Sequence, residues 1–230
     1  TRILVRGMAH EIKNPLGGIR GAAQLLDREL HNEDQKEYTQ VIIAEADRLR
    51  TLVDRMLGPN KAPKMASTNI HEVLERVKTL LEAESRGRLN FRRDYDPSLP
   101  EFQGDKEQLI QAFLNIARNA MEAAFENQAE MTGDEQPTIT FRTRALRQFT
   151  IGHKRHRLVC RVDVIDNGPG IPPDLLQNVF YPMISGRASG TGLGLSITQS
   201  IIGQHHGLVE CESEPGKTDF IIFLPLEENQ

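Results

Sequence analysis

Several short groups of residues in this chain have types and spacings that can do chemistry. The first is His10-Glu11-Ile12-Lys13-Asn14-Pro15. A neutral imidazole is plentiful near pH 7 and carries a lone pair on one ring nitrogen, which suits it to accept a phosphoryl group. Glu11 can take the hydrogen of the other ring nitrogen and orient the ring. A zinc site of the H-E-x-x-H kind is excluded, because Asn14 stands where the second imidazole would be. Asn14 lies one helical turn from His10 on the same face, and Gly17 and Gly21 continue that face, leaving room for another protein. Pro15 removes one backbone donor, so the helix should bend there. The same stretch also suits a plain surface histidine on a helical bundle.

The second group is Asn115-Ile116-Ala117-Arg118-Asn119. Its two asparagines sit at i and i+4, on a face shared with Gln108 and Glu122, opposite the apolar Leu109, Phe113, Ile116, Ala120 and Ala124. Their amide oxygens are hard ligands of the kind magnesium takes; a simple solvated face gives the same pattern. The third is Asp166-Asn167-Gly168-Pro169-Gly170. Period-two alternation puts Asp166 on the face of Val162 and Val164, the core face, where a carboxylate needs a partner. The exocyclic amine of a purine can supply one. An ordinary Asn-Gly turn is the alternative. The fourth is Gly190-Thr191-Gly192-Leu193-Gly194 at the start of a helix. Backbone amides there can approach phosphates, and the helix end favours negative charge. It is neither a P-loop nor a dinucleotide fingerprint. Phe180-Tyr181-Pro182 lies between the last two groups, in a stretch able to cover a bound nucleotide.

The elements that must position these groups follow from periodicity. Val5, Ala9, Ile12, Leu16, Ile19, Ala23, Leu26 and Leu30 recur at spacings of four and three, a coiled-coil seam. After a turn at His31-Asn32-Glu33-Asp34, Tyr38, Ile42, Leu49, Leu52 and Met56 keep the rhythm in a second helix. One such hairpin has too little core, so two should pair as a four-helix bundle in a homodimer. Gly58-Pro59-Asn60-Lys61-Ala62-Pro63 reads as a linker. Helices are expected over 70–84, from Asp105 to about Phe125, and from Gly194 to Gly207. Strands are expected over 89–94, 138–144, 149–151, 158–165, 208–212 and 219–225. Mixed order without βαβ alternation indicates an α+β two-layer sandwich. The expected boundaries are 1–58 for the hairpin, 59–68 for the linker and 69–230 for the second domain.

Composition narrows the function classes. With 230 residues, 38% hydrophobic and 26% charged, the chain can bury a core unaided. It opens without Met or a leader and reads as a soluble piece of something longer. No apolar run approaches the ~18 residues of a membrane span. A net charge of −4 gives no general nucleic-acid signal. Cys160 and Cys211 form neither a disulfide framework nor a metal motif, which fits a reducing cytosol. Between Thr138 and Val162, Arg142, Arg144, Arg147, Lys154, Arg155, Arg157 and Arg161 stand without a single acidic residue. That stretch is either a solvated hairpin or a docking surface for an acidic partner.

In this order and spacing the groups resemble those of two-component sensor histidine kinases, over nearly the whole chain. His10 to Pro15 is similar to the H box, Asn115 to Asn119 to the N box, and Asp166 to Gly170 to the first glycine box. Phe180 resembles the F box, and Gly190 to Gly194 the second glycine box. The stretches Met8 to Leu26, Asp94 to Pro100 and Tyr181 to Arg187 resemble the cytoplasmic nitrogen-regulation branch of that family. The implied architecture is an all-α dimerisation and phosphotransfer hairpin followed by a Bergerat-type ATP-binding sandwich. The implied activity is ATP-dependent phosphorylation of His10, transfer to an aspartate of an NtrC-like response-regulator receiver domain, and removal of that phosphate. Glu11 would assist the transfer and Asn14 would position water for dephosphorylation. Asn119, with Asn115 nearby, would hold Mg2+. Asp166 would read the adenine amine, Gly168 and Gly170 would let the backbone close on the nucleotide, and Thr218 would lie near the adenine. Gly190, Gly192 and Gly194 would shape the phosphate end. A PII signal-transduction protein is a further candidate partner; nucleic acid and membrane are not expected. The alternatives are a GHKL-type ATPase, which would usually carry Glu at position 115, and a pseudokinase dimer that only docks regulators.

Overall fold

The computed structural model describes residues 2–56, 62–129, 136–184 and 192–226, with 2–10, 33, 51–52 and 54–56 described as backbone only. The chain divides into two units, Thr1–Asn60 and Lys61–Gln230.

The first unit is a hairpin of α1 (Arg2–Glu29) and α2 (Glu33–Met56). The turn is shorter than expected, because the side chain of Asn32 accepts the Asp34 N–H at 2.9 Å and starts the helix at once. Pro15 lies inside a continuous α1. The buried seam between the helices is narrow. It includes Ala23, Thr39, Ala46 and Val53, and polar pairs set its register: Arg20 Nε to Asp47 Oδ1 at 2.7 Å, and the Thr39 hydroxyl donating to Asp27. Ile12, Ile19, Leu26, Tyr38, Ile42 and Leu49 stay exposed. The apolar rhythm read along α2 therefore marks an outer face, while Thr39, Ala46 and Val53 meet α1. An uncovered stripe of this size is what a bundle partner would bury.

The second unit is a two-layer sandwich. Its five-stranded sheet runs β2 (Asn90–Asp94), β4 (Thr138–Ile151), β5 (Lys154–Asp166), β7 (Lys217–Pro225) and β6 (Leu208–Glu214). The β2–β4 pair is parallel and the others antiparallel. Three helices, α3 (Ile70–Ser85), α4 (Lys106–Glu126) and α6 (Gly194–Gln204), cover one face, with α4 between the others; α5 (Pro173–Leu176) is a single turn. A short ribbon of β1 (Ala66–Thr68) and β3 (Phe102–Gly104) stands apart from the sheet. Residues 66–68, within the stretch expected as linker, thus form β1. Three residues carry too little alternation for either short strand to be legible in the sequence.

Capping residues explain the helix starts. Asn69 accepts the His71 N–H at 2.9 Å, and Asp105 accepts the Gln108 N–H at 3.1 Å. Leu74, Leu81, Leu109, Phe113, Ile116, Phe141 and Ile222 are fully enclosed, each worth about 1.5–3 kcal/mol of burial. The strands expected over 149–151 and 158–165 belong to a longer hairpin: β4 and β5 pair from Ile139–Asp166 out to Ile151–Lys154. Sequence alternation fails near its tip because Gln148 adopts φ +54° and shifts the phase. Leu146 and Phe149, three residues apart, consequently join one cluster on the sheet with Ile151, Val159, Ile221 and Phe223. Phe149 stacks on Phe223 with centroids 4.6 Å apart. On the β5 face opposite Val162 and Val164, Asp163 is buried and held by Arg161 at 2.7 Å and Arg142 at 3.3 Å. Among the described residues no helix is long and apolar enough to cross a membrane.

Candidate functional site

A cavity of about 540 Å³ opens between α4, the end of β5, the segment after it and the start of α6. Alternation along β5 delivers Asp166 to it: Asp166 pairs with Ile139 and Thr218 across the ladder, and only 3% of its surface is exposed. Its Oδ1 accepts the Gly168 N–H at 2.8 Å, which fixes the carboxylate. A Cβ at Gly168 would stand 2.7 Å from both Ala123 Cβ and that oxygen. Gly170 has φ +88°, and a Cβ there would meet the Glu214 carbonyl at 2.6 Å. Only glycine fits either position.

From α4, Asn115 and Asn119 face the same cavity, one turn apart. Asn115 Nδ2 donates to the Gly194 carbonyl at 3.2 Å, so its oxygen is the atom that could serve a ligand. Asn119 makes no side-chain hydrogen bond among the described residues. Glu122 lines the cavity on the next turn. These amide and carboxylate oxygens fit Mg2+, a hard cation that takes oxygen ligands. Gly192, at φ +63°, packs against the backbone of Met183 and Ile184, and its carbonyl accepts the Met183 N–H at 3.0 Å. Phe180 meets Phe220 edge-on at 6.3 Å.

The cavity therefore brings together Asn115, Asn119, Asp166, Gly170, Gly192, Gly194 and Thr218, with Gly168 directly behind Asp166. Gly190 lies outside the described residues. Gln108, on the same helical face by period, is buried near the start of α4 and does not line the cavity. Arg118 and Glu126 line it too, at helical spacing from Asn115 and Asn119 along α4, the only sequence signal for them. Arg118 is pinned to Glu84 of α3 by Nε at 3.0 Å, and that bond holds the Glu84 carboxyl below its ordinary range. Ile171, Leu175, Val179 and Ile184 supply apolar wall that no motif announced. His10, Glu11 and Asn14 belong to α1 in the other unit. Glu11 and Asn14 are exposed there, and the His10 side chain is outside the described residues. Cys160 and Cys211 are free thiols, pushed up to about 12 by burial, so neither is a nucleophile at neutral pH.

Residues 104–228 match the family model of histidine kinase-, DNA gyrase B- and HSP90-like ATPases, and residues 2–62 match the His Kinase A (phospho-acceptor) domain. The chain is 53% identical over 226 residues to the sensory histidine kinase/phosphatase NtrB of Vibrio alginolyticus, and 54% identical over 227 residues to that of Proteus hauseri. The chain belongs to the sensor histidine kinases. The two alignments take in 98% and 99% of this histidine kinase chain and 63% of each relative, so the chain spans about 63% of the length of the curated relatives it matches. Among solved structures, histidine kinase ThkA in complex with the response regulator TrrA is 27% identical with a TM-score of 0.59, over 97% of this kinase chain and 61% of that one. Full-length ShkA in complex with AMPPNP, at 24% identity and a TM-score of 0.62 over 100% of this chain and 47% of that one, shares the fold.

Proposed function

We propose that this kinase transfers the γ-phosphoryl group of ATP to His10, passes it to an aspartate of a response-regulator receiver domain, and hydrolyses it from that regulator, within nitrogen regulation. The observation that carries the reading is the cavity: a fixed, buried carboxylate (Asp166), amide oxygens from α4, and a helix start at Gly194 converge on one space. Adenine fits the Asp166–Thr218 end, where the carboxylate accepts its amine and Ile171 and Leu175 offer apolar wall. The triphosphate fits the α4–Gly194 end, where backbone amides and the helix terminus favour negative charge. Asn119, with Asn115, would hold Mg2+, which when bound neutralises phosphate charge.

Residues 1–58 would serve as the phospho-acceptor and dimerisation hairpin, 59–68 as the connection and 69–230 as the ATP module. On α1, His10 accepts the phosphoryl group at a ring nitrogen. Glu11 takes the hydrogen of the other nitrogen, and Asn14 positions water for the separate phosphatase step, in which water displaces the regulator's aspartate and inorganic phosphate leaves. The stripe from Ile12 to Leu49 is covered by a second copy in a homodimer. That relatives of 53% identity are named kinase/phosphatases supports both activities, and the ThkA–TrrA complex supports a receiver-domain partner. An NtrC-like regulator, a PII contact and a cytoplasmic setting complete the reading.

The test is labelling with γ-labelled ATP and magnesium. The wild-type label should be acid-labile and alkali-stable, as a phosphoramidate is, and absent from His10→Gln. Equal labelling of the two proteins would overturn the assignment.

A further inference from the structure

Helices α4 and α6 run antiparallel and are tied at three points. At the cavity end Asn115 Nδ2 donates to the Gly194 carbonyl at 3.2 Å. Midway, the Thr198 hydroxyl donates to the Ala112 carbonyl at 3.2 Å. At the far end the Asp105 N–H donates to His205 Nε2 at 2.9 Å. About ten residues of helix, roughly 15 Å, separate the two ends.

The far end is a junction of three chain segments. Asp105 divides its carboxylate: Oδ1 accepts the Gln108 N–H at 3.1 Å, the helix cap, and Oδ2 accepts the Lys64 N–H at 2.8 Å. Lys64 lies where the chain enters the ATP-binding unit, just ahead of β1. His205 Nδ1 donates to the Ile201 carbonyl at 2.8 Å, which leaves the Nε2 lone pair to Asp105. Both residues are buried. Burial opposes charge on Asp105, yet the N–H groups of Lys64, Gln108 and Glu107 hold its carboxyl below the ordinary range, and burial keeps His205 below its own. A cap alone needs one oxygen. The second is committed to the entering chain.

We propose that Asp105, backed by His205, is a positioning residue for phosphoryl transfer: it clamps the chain entering at Lys64 onto the α4–α6 pair whose other end lines the nucleotide cavity. The proposal rests on the kinase reading. Phosphoryl transfer depends on alignment, and a misplacement of about 1 Å costs on the order of 100-fold in rate. A fixed pivot at Lys64 sets the point from which the ATP module reaches His10; without it the module hangs on a free tether.

The test uses the full chain. Asp105→Asn preserves shape and one acceptor oxygen but not two. Lys64→Pro removes the backbone donor, and Lys64→Ala retains it. The first two variants should each slow His10 labelling about tenfold at saturating ATP, with the KM for ATP within about twofold of wild type. Lys64→Ala should match wild type, and the Asp105→Asn/Lys64→Pro double variant should be no slower than either single one. Wild-type rates in both single variants would overturn the clamp. So would a raised KM accompanied by a lowered melting temperature, the mark of a plain helix cap. If Asp105→Asn does not fold, Lys64→Pro decides alone. Absence of His10-dependent label in the unsubstituted chain would instead sink the kinase reading and the clamp with it, so the two failures are distinguishable.

Discussion

The side-chain amide of Asn115 holds the backbone carbonyl of Gly194 at 3.2 Å, so the asparagine helix and the glycine-rich helix start are one rim of the cavity. Removing that amide loosens the rim and, on the proposed reading, deletes an oxygen ligand together. Asn115→Ala should cost about 1 kcal/mol of stability and raise the KM for ATP roughly tenfold. Calorimetric titration with a non-hydrolysable ATP analogue checks it; unchanged affinity would remove Asn115 from the site.

Gly170 and Gly216 separate backbone strain from steric clash. Both have strongly positive φ, +88° and +85°, but a Cβ at Gly170 meets the Glu214 carbonyl at 2.6 Å whereas one at Gly216 meets nothing within 4 Å. Gly216→Ala should cost about 1–2 kcal/mol and leave nucleotide binding intact. Gly170→Ala should cost more and abolish binding. Urea denaturation with and without nucleotide tells them apart, and equal behaviour would mean that the close approach at Gly170 has no role.

Asn14 and His10 should be separable. Asn14→Ala is expected to retain wild-type labelling with ATP and to lose at least about tenfold in dephosphorylation of a phosphorylated regulator. Loss of both activities together would contradict a dedicated water-positioning role for an exposed side chain one turn from the acceptor.

Asp219 makes a pH prediction. Burial, then the charge of Asp163, push its carboxyl up to about 6, against the pull of Arg142 and Arg161, and its Oδ1 has no hydrogen-bond partner among the described residues. The folded chain therefore binds a proton that the unfolded chain releases. This group's stabilising contribution is full below about pH 4 and lost as pH rises through about 6. Asp219→Asn should raise stability at pH 7.5 by on the order of 2 kcal/mol, the gain vanishing below about pH 4. A less stable variant at pH 7.5 would show that the 3.5 Å contact with Arg142 outweighs the burial cost.

The basic stretch splits in two. Arg142 and Arg161 meet Asp163, and Arg144 meets Asp94 at 2.6 Å, so these three are structural. Arg147, Arg155 and Arg157 are exposed near the tip and make no ion pair among the described residues. Arg155→Glu with Arg157→Glu should weaken binding of a PII protein or regulator at least about tenfold, read by fluorescence anisotropy at two salt concentrations. Unchanged affinity for both would leave the tip a solvated hairpin.

Much of the site was legible because it is carried by local signals: the i, i+4 asparagines, the period-two placement of Asp166, the cap at Asp105. The apolar walls at Leu175 and Val179 were not, since they lie in a segment with only one turn of helix. The basic run looked uniform because sequence does not show that Asp163 and Asp94 lie across the strands from Arg142 and Arg144. In α2 the strongest apolar rhythm marked the outer stripe; Thr39 and Ala46 pack the inner one, and small residues give a weak signal even where helices approach most closely.

The sheet is apolar on both sides over part of its length. Helices cover one face, and Phe149, Ile151 and Phe223 seal the other. Strands β5 and β7 are thereby shielded from water in both directions. Their amides should be the last to exchange with deuterium, opening only when the whole module unfolds. The charged tip is then a stiff outrigger on the slowest-opening part of the molecule, and Asp166 and Thr218 root one wall of the cavity in that same spine.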